Sequence, residues 1–407
     1  MEENQGLRVN LWALIRFGER RNMMNQLTAE GVFLNTVAAV LNKKKPSALP
    51  EGISADDVFD LGSRRNMAPI TFCALNLITP KQVSDKWGEY QKEFLDDCMR
   101  SETQMSEYHK LVEYLCGNGV KIIPLKGCVM KELYPSPFFR AMADVDLLYE
   151  GVSTKKIAGL MEAFGYSAES LEKSHHDVFY KEPCMNVELH RQLMDDDSPY
   201  KPIFEHLFER ALPDEKIPNL YHLTPADLYI HVIAHAAKHF KNREAHIRHV
   251  GDIYVLNQKY AETWDADYIK GQLASVGLQR FEEKIKTIAY AFFGDEQADV
   301  SALDMELFFP DRNTEQPSPA GWAYMERGGK NQFLFFLHKI FFPYSRMCIM
   351  YPVLKKWPVL LPFAWIHRIC DRLLHNRQSI VMVARTNINE QDARRIRQLM
   401  DNFGLNN

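Results

Sequence analysis

The sequence predicts an α+β fold in which a mixed β-sheet core lies between an N-terminal and a C-terminal helical region. Residues 144–148 and 187–190 alternate polar and apolar side chains, which is the pattern of a strand with one buried face. Residues before 119 and after 222 instead place leucine, phenylalanine and valine at helical spacing. The strand-like segments therefore cluster in one central part of the chain.

This pattern divides the chain into four regions. We expect an N-terminal helical region over residues 1–118, an α/β core over 119–222, a C-terminal helical region over 223–308 and a C-terminal helical extension over 321–407. Three prolines between residues 309 and 320 indicate a linker or long loop before the extension.

Local signals place the elements in order. A long helix is expected over residues 98–116, because Gly117-Asn118-Gly119 provides a helix stop. The apolar segment 122–125 then forms a strand, and a short helix over 128–134 ends at Pro135. The remaining strands are expected at 144–148, 166–170, 178–181 and 185–190. Ser153 is expected to cap a helix of the core, and Thr224 is expected to cap the first helix of the C-terminal helical region.

Composition describes an ordinary globular protein with reduced thiols. Hydrophobic residues make up 46% and charged residues 25% of the 407 residues, and a formal net charge of −4 provides no overall attraction for nucleic acid. The seven cysteines are scattered without a Cys-x-x-Cys pair, which is typical of the cytosol. We also expect no secretory signal and no apolar segment long enough to span a bilayer. The predicted location is cytoplasmic.

Three carboxylates mark the candidate site. Side chains two residues apart on a strand point to the same side, so Asp144 and Asp146 share one face while Val145 faces the core. Glu188 and His190 share a face in the same way on a later strand. Carboxylates on neighbouring strands can hold Mg²⁺ or Mn²⁺, and two such ions stabilise the attacking and leaving oxygens of an in-line displacement. The alternative is an exposed acidic strand edge.

A glycine turn before the first carboxylate strand provides a second feature. Gly127 lies where a strand passes into a helix, and the backbone N–H groups of a helix N-terminus favour phosphate. Lys126 offers a point charge for a phosphate oxygen, and Arg140 offers a bidentate guanidinium. The alternatives are a solvated lysine at the strand end and, for Arg140, an ion pair with Asp144 or Asp146.

In this order the motifs resemble the nucleotidyltransferase superfamily, and more closely a bacterial nucleotidyltransferase-like family. That family carries Leu-Lys-Gly, an arginine shortly before Asp-x-Asp-Leu-Leu, and a later Glu-x-His. The matching segments here are Leu125-Lys126-Gly127, Arg140, Asp144-Val145-Asp146-Leu147-Leu148 and Glu188-Leu189-His190. The general superfamily usually has Gly-Gly or Gly-Ser at the turn, whereas this chain has a single glycine between Lys126 and Cys128, as in the narrower family.

The resemblance implies a nucleotidyltransferase-like fold and a Mg²⁺-dependent or Mn²⁺-dependent transfer of a nucleoside monophosphate from a nucleoside triphosphate to an acceptor. It implies that Asp144, Asp146 and Glu188 hold the metal, and that Lys126, Gly127, Arg140 and His190 bind the nucleotide. Two alternatives stay open: a kinase-like phosphotransferase on the same fold, and a non-catalytic nucleotide-binding adaptor. The acceptor, whether a small molecule, a sugar, a protein or a tRNA, also stays open.

The histidines of the chain have several interpretations. His190 can ligate a metal, position Glu188 or contact the nucleotide, whereas His175 and His176 are expected in a loop. In the helical region, four residues that recur in the resembled family are predicted to line the acceptor side: His235, His239, Arg248 and Asp252.

Residues 331–380 form a separate basic and aromatic block. One acid, Asp371, stands against seven bases: Lys339, Arg346, Lys355, Lys356, Arg368, Arg372 and Arg377. Pro343, Pro352, Pro358 and Pro362 exclude one long helix. Three alternatives stay open, namely packing on the rest of the protein, peripheral contact with an anionic membrane, and contact with RNA.

Overall fold

The structure is a computed structural model that describes residues 28–78, 84–172, 174–241, 246–294, 300, 305, 307–309, 324–325, 331–375 and 390–405. The chain divides into two compact units, residues 1–234 with 246–300 and residues 235–245 with 301–407. The four predicted regions are a finer division and stay a prediction. The predicted linker over 309–320 lies almost entirely outside the described residues.

The first unit begins with four helices: α1 (Ala29–Leu41), α2 (Ala55–Ser63), α3 (Ala68–Ile78) and α4 (Trp87–Gly117). Side-chain caps start two of them, because Thr28 accepts a hydrogen bond from the Gly31 N–H and Ser54 accepts one from the Asp57 N–H. The helix predicted over 98–116 is the C-terminal part of the longer α4. Gly119, which follows it, has φ of +78°, a backbone conformation that favours glycine.

Five strands form one mixed sheet, which confirms the predicted fold class. They are β1 (Lys121–Pro124), β2 (Val145–Glu150), β3 (Ser167–Ser170), β4 (His176–Lys181) and β5 (Met185–His190), in the spatial order β1-β2-β5-β4-β3. The central pair β2 and β5 is parallel, and the other neighbours are antiparallel. Two helices of the core, α5 (Lys126–Leu133) and α6 (Thr154–Ala163), follow β1 and β2.

The two faces of the sheet have opposite characters, as the alternating pattern predicts. Val145, Leu147, Val187 and Leu189 are buried in a hydrophobic cluster that also contains residues of α4 and α6. The parallel register pairs Asp146 with Glu188. Because side chains alternate along a strand, both carboxylates project from the face that is opposite this cluster.

The rest of the first unit is mainly helical. A short helix α7 (Leu207–Arg210) and a two-stranded ribbon of β6 (Leu212–Pro213) and β7 (Tyr221–His222) lead to the helices α8 (Pro225–Lys241), α9 (Ile247–Tyr260), α10 (Ala266–Ser275) and α11 (Gln279–Phe293). Residues 235–241 of α8 are assigned to the second unit. Thr224 caps α8, as predicted, by accepting a hydrogen bond from the Asp227 N–H. Asn42 joins the ends of the unit, since it donates to the Phe293 carbonyl at 2.7 Å and accepts from the Tyr254 hydroxyl at 2.7 Å.

The second unit contains five further described helices: α12 (Gln332–Ile340), α13 (Tyr344–Met350), α14 (Val353–Lys356), α15 (Leu361–His375) and α16 (Glu390–Phe403). Prolines separate the first of them, because Pro343 and Pro352 lie at the starts of α13 and α14. Phe342, Met347 and Leu354 belong to a small hydrophobic cluster. Within the described ranges, no helix has the length and apolar character needed to cross a bilayer.

The sheet core should respond strongly to a cavity at Leu147, which is fully buried. We expect Leu147→Ala to lower the free energy of unfolding by about 2–5 kcal/mol, because it removes buried contacts and leaves a void. Leu212→Ala is the matched control, since Leu212 is 52% exposed and should change stability by less than about 0.5 kcal/mol. Urea denaturation measures both, and similar losses for the two variants would contradict the assigned core face.

Candidate functional site

The turn between β1 and α5 brings the backbone close to the carboxylates. Lys126 has φ of +40°, in a left-handed region that residues with a Cβ rarely adopt. The next residue must be small, because a Cβ on Gly127 would lie 2.7 Å from Met142 Cγ and 3.3 Å from Arg140 Nη1. The Lys-Gly pair therefore forms a tight, strained turn at the N-terminus of α5.

Asp146 is the buried centre of the site. Its carboxylate oxygen Oδ1 accepts hydrogen bonds from Lys126 Nζ at 2.9 Å and from His190 Nε2 at 2.9 Å. Burial alone would raise the pKa of Asp146, but the charge of Lys126 and the bond from His190 outweigh it and hold that pKa well below its usual value. Asp146 is therefore ionised, and the alternative of a solvated Lys126 is wrong, since the lysine pairs with Asp146 and its side chain is 19% exposed.

Glu188 and two histidines lie around Asp146. His190 Nε2 is 3.5 Å from Glu188 Oε2, and His176 Nε2 is 3.7 Å from the same oxygen. Burial opposes the charge of Glu188, yet the hydrogen bond from His190 lowers the pKa of this carboxyl below its usual value. Asp146, Glu188 and His190 offer ligand atoms that all lie within 4.8 Å of one another, so this set can hold a metal ion.

Asp144 lies one residue before β2 and is half-buried. Burial and the neighbouring charge of Asp146 raise the pKa of Asp144. Among the described residues, Asp144 does not belong to a group of ligand atoms that all lie within 4.8 Å of one another. A cation between Asp144 and Asp146 would relieve their repulsion, because like charges disfavour the ionised form of each.

Arg140 forms an ion pair, but with Asp252 of α9 rather than with Asp144 or Asp146. Its Nη2 and Nε donate to the two oxygens of Asp252 at 2.8 and 3.2 Å, and its Nη1 donates to the Ala141 carbonyl at 2.9 Å. Burial would lower the pKa of Arg140, but the charge of Asp252 holds that pKa above its usual value. All three guanidinium nitrogens are therefore engaged within the protein.

Two other buried groups support this ion pair. The Tyr134 hydroxyl donates to Asp252 Oδ1 at 2.9 Å. Lys131 donates to the Arg140 carbonyl at 2.9 Å, and burial together with the charge of Arg140 lowers the pKa of Lys131 to about 8. Gly251 permits the close approach of α9, since a Cβ there would lie 3.0 Å from the Tyr134 hydroxyl. The loop that leads into β2 is thus fastened to α9.

Arg248 is a half-buried arginine of this region, one turn before Asp252 on α9. Its Nη1 donates to the Ala141 carbonyl at 3.1 Å, whereas its Nε is buried without a hydrogen-bond partner among the described residues. Burial and the like charge of Arg140 lower the pKa of Arg248. Arg248 therefore offers a cation whose donors are not taken by a carboxylate in the described part of the chain.

The remaining predicted residues, His235 and His239, belong to the second unit. Their Nε2 atoms are 3.0 Å apart. Their role on the acceptor side stays a prediction.

Three histidines near the site were not among the predicted site residues. His176 begins β4 and pairs in register with His190, which overturns the expectation of a loop there. His175 precedes it, and its ring centroid lies 5.5 Å from that of His190. His231 of α8 is buried, and burial together with the charge of Lys126 lowers its pKa to about 3. His176 and Val178 are half-buried and Asp177 between them is buried. This alternation is the local signal that extends β4 to His176.

The sheet, the glycine turn and the ionised carboxylates define a protein of the nucleotidyltransferase-like α+β class. The family model described as uncharacterised nucleotidyltransferase matches residues 51–294, more than half of the chain. The chain therefore belongs to this nucleotidyltransferase family. No curated protein and no solved structure gives a significant match.

The Arg140–Asp252 pair should contribute strongly to stability. We expect Asp252→Asn to lower the free energy of unfolding by about 3–5 kcal/mol, because it leaves the buried Arg140 without its counter-charge. Glu150→Gln is the control, since Glu150 forms an exposed pair with Lys121 at 3.1 Å and should change stability by less than about 1 kcal/mol. Urea denaturation compares them, and a loss below 1 kcal/mol for Asp252→Asn would mean that the pair is dispensable.

Proposed function

We propose that this protein transfers a nucleoside monophosphate from a nucleoside triphosphate to an acceptor, with Mg²⁺ or Mn²⁺ as the cofactor. One observation carries the proposal: Asp146 and Glu188 are paired in register on parallel strands, on the same face of the sheet. The strained Lys126-Gly127 turn adjoins them through the 2.9 Å bond between Lys126 and Asp146. Membership of a nucleotidyltransferase family supports the same reaction class.

The donor set fits a hard divalent cation. Asp146 and Glu188 supply carboxylate oxygens, Asp144 lies two residues from Asp146, and Mg²⁺ prefers such oxygens together with substrate phosphates and water. When bound, such ions neutralise charge on the transferred phosphate and on the attacking and leaving oxygens. His190 holds Asp146 in position through a 2.9 Å hydrogen bond. Glu188, whose side chain is 21% exposed, is placed to ligate the cation or to take the proton of the acceptor.

The triphosphate is proposed to lie over the N-terminus of α5. The backbone N–H groups of a helix N-terminus favour phosphate, and the helix dipole favours negative charge there. Lys126 is close enough to exchange its Asp146 contact for a phosphate oxygen once a cation neutralises Asp146. The predicted phosphate contact of Arg140 is less favoured than one of Arg248, because Asp252 already engages Arg140, whereas the buried Nε of Arg248 has no partner in the described part of the chain.

Two alternatives share this geometry. A kinase-like enzyme would transfer the γ-phosphoryl group, and a nucleotide-binding adaptor would bind without turnover. ATP labelled at the α-phosphate or at the γ-phosphate separates them: nucleotidyl transfer labels the acceptor from the α-label, and phosphoryl transfer labels it from the γ-label. An adaptor labels nothing but gains thermal stability from nucleotide with Mg²⁺. Candidate acceptors are small molecules, sugars, proteins and tRNA.

The carboxylates should be essential for turnover. We expect Asp146→Asn and Glu188→Gln each to reduce transfer of the α-label by roughly 100-fold or more, since loss of a ligand should exceed the 10–100-fold effect typical of outer-shell partners. Glu150→Gln, at the other end of β2, is the matched control and should keep wild-type activity. Circular dichroism verifies folding at the assay temperature. Near-normal transfer by Asp146→Asn would rule out the proposed metal ligand.

We further propose that the basic and aromatic block over 331–380 contacts an anionic membrane surface. Eleven of the seventeen exposed large apolar side chains among the described residues lie between Phe333 and Ile366, with Trp357 55% and Phe363 66% exposed. Lys355 and Lys356 are exposed beside Trp357. Exposed apolar groups next to cations are typical of a peripheral membrane surface. Of the three bases of the block whose side chains are described, Arg368 is packed, since it is buried with its guanidinium 3.6 Å from the Phe342 ring.

Charge reversal tests this membrane contact. We expect the double variant Lys355→Glu, Lys356→Glu to bind anionic vesicles roughly 30-fold or more weakly, because each basic residue near such a surface contributes about 1 kcal/mol. Co-sedimentation at low and high salt measures binding, which should fall as salt rises. The control Lys92→Glu, Lys110→Glu has the same charge change on α4 and should bind like the wild type. Equal retention of both double variants would disprove the surface, and retention by tRNA instead of vesicles would favour the RNA alternative.

A further inference from the structure

Three imidazole rings meet beside the carboxylates. The ring centroids of His175 and His176 are 4.6 Å apart, and those of His176 and His190 are 5.0 Å apart. One ring nitrogen from each of the three lies within 4.8 Å of the others. The antiparallel register of β4 and β5, which sets His176 opposite His190, produces this cluster.

Carboxylates orient two of the three rings. His175 Nδ1 is 2.6 Å from Asp195 Oδ1, and His190 Nε2 is 2.9 Å from Asp146 Oδ1. A neutral imidazole that donates through one nitrogen carries a lone pair on the other, so the lone pairs belong to His175 Nε2 and His190 Nδ1. This carboxylate–histidine arrangement is the one that orients histidine ligands of metals.

The two remaining nitrogen atoms of these rings differ in their surroundings. His190 Nδ1 is buried without a partner among the described residues, and the side chain is only 4% exposed. His175 Nε2 is 3.4 Å from His176 Nδ1, with Ser174 Oγ also 3.4 Å from His176 Nδ1. Two nitrogen ligands of a tetrahedral zinc ion, each at about 2.1 Å, are about 3.4 Å apart. The spacing of this pair therefore fits coordination to one ion.

We propose that His175, His176 and His190 bind a first-row transition-metal ion of the Zn²⁺ type, distinct from the Mg²⁺ or Mn²⁺ on the carboxylates. Imidazole nitrogen suits such ions, whereas Mg²⁺ selects oxygen. The ion fixes the ring of His190 and, through its Nε2–H, the carboxylate of Asp146. The inference rests on the proposed function only for this effect on Asp146, because binding by the three rings does not require nucleotide.

Cobalt is the probe for this site. Co²⁺ titrated into the metal-free full-length protein in excess Mg²⁺ should give the visible d–d absorption of a nitrogen-ligated ion, and Zn²⁺ should abolish it. Asp195→Asn, which removes the orienting carboxylate of His175, should weaken Co²⁺ binding roughly 10–100-fold. His176→Gln removes a ligand and should weaken it further.

Two variants serve as controls. His109→Gln replaces an exposed histidine of α4, and Asp144→Asn removes a carboxylate outside the histidine cluster, so both should bind Co²⁺ like the wild type. Equal Co²⁺ affinity of the wild type, Asp195→Asn and His176→Gln, or no absorption in the presence of Mg²⁺, would overturn the site. Co²⁺ binding without transfer of labelled nucleotide would instead leave the site standing and refute only the proposed enzyme activity.

Discussion

The buried ion pair between Arg140 and Asp252 holds the candidate site together. It joins the loop that enters β2 to α9, and its partners are 112 residues apart in the sequence. Removing these two charges from water is costly, so the pair is stable only because both oxygens of Asp252 are engaged and Tyr134 adds a third bond. Arg248 of α9 also donates to the Ala141 carbonyl of this loop, so the position of the loop before Asp144 depends on its attachment to the helix.

Charge balance is the second constraint. A face that carries Asp144, Asp146 and Glu188 is stable without a metal only if cations lie nearby, because buried like charges repel strongly. Lys126 supplies that compensation at Asp146, while His190 donates a hydrogen bond to Asp146 and also contacts Glu188. Cations that compensate a site before a ligand binds are available to the ligand afterwards. In the proposed reaction, release of Lys126 would couple the binding of metal to the binding of nucleotide.

Backbone geometry at the Lys126-Gly127 turn is the third constraint. Lys126 occupies a left-handed conformation where glycine would be unstrained, and Gly127 has no room for a Cβ beside Met142 and Arg140. A strained residue persists only when the surrounding contacts hold it. The bond from Lys126 to Asp146 is such a contact, so the lysine side chain contributes both charge and a fixed turn. This arrangement is consistent with the Lys-Gly turn of the narrower family.

Local features of the fold were readable from the sequence. The alternation in residues 144–148 and 187–190 determined which side chains face the core, and Gly127 marked the turn, because both depend on residues only a few positions apart. The tertiary structure decided the rest: the parallel register that aligns Asp146 with Glu188, the pairing of Arg140 with Asp252, and the place of His176 opposite His190. Contacts between distant segments have no periodic signal in one sequence, since they are selected by the packing of whole elements.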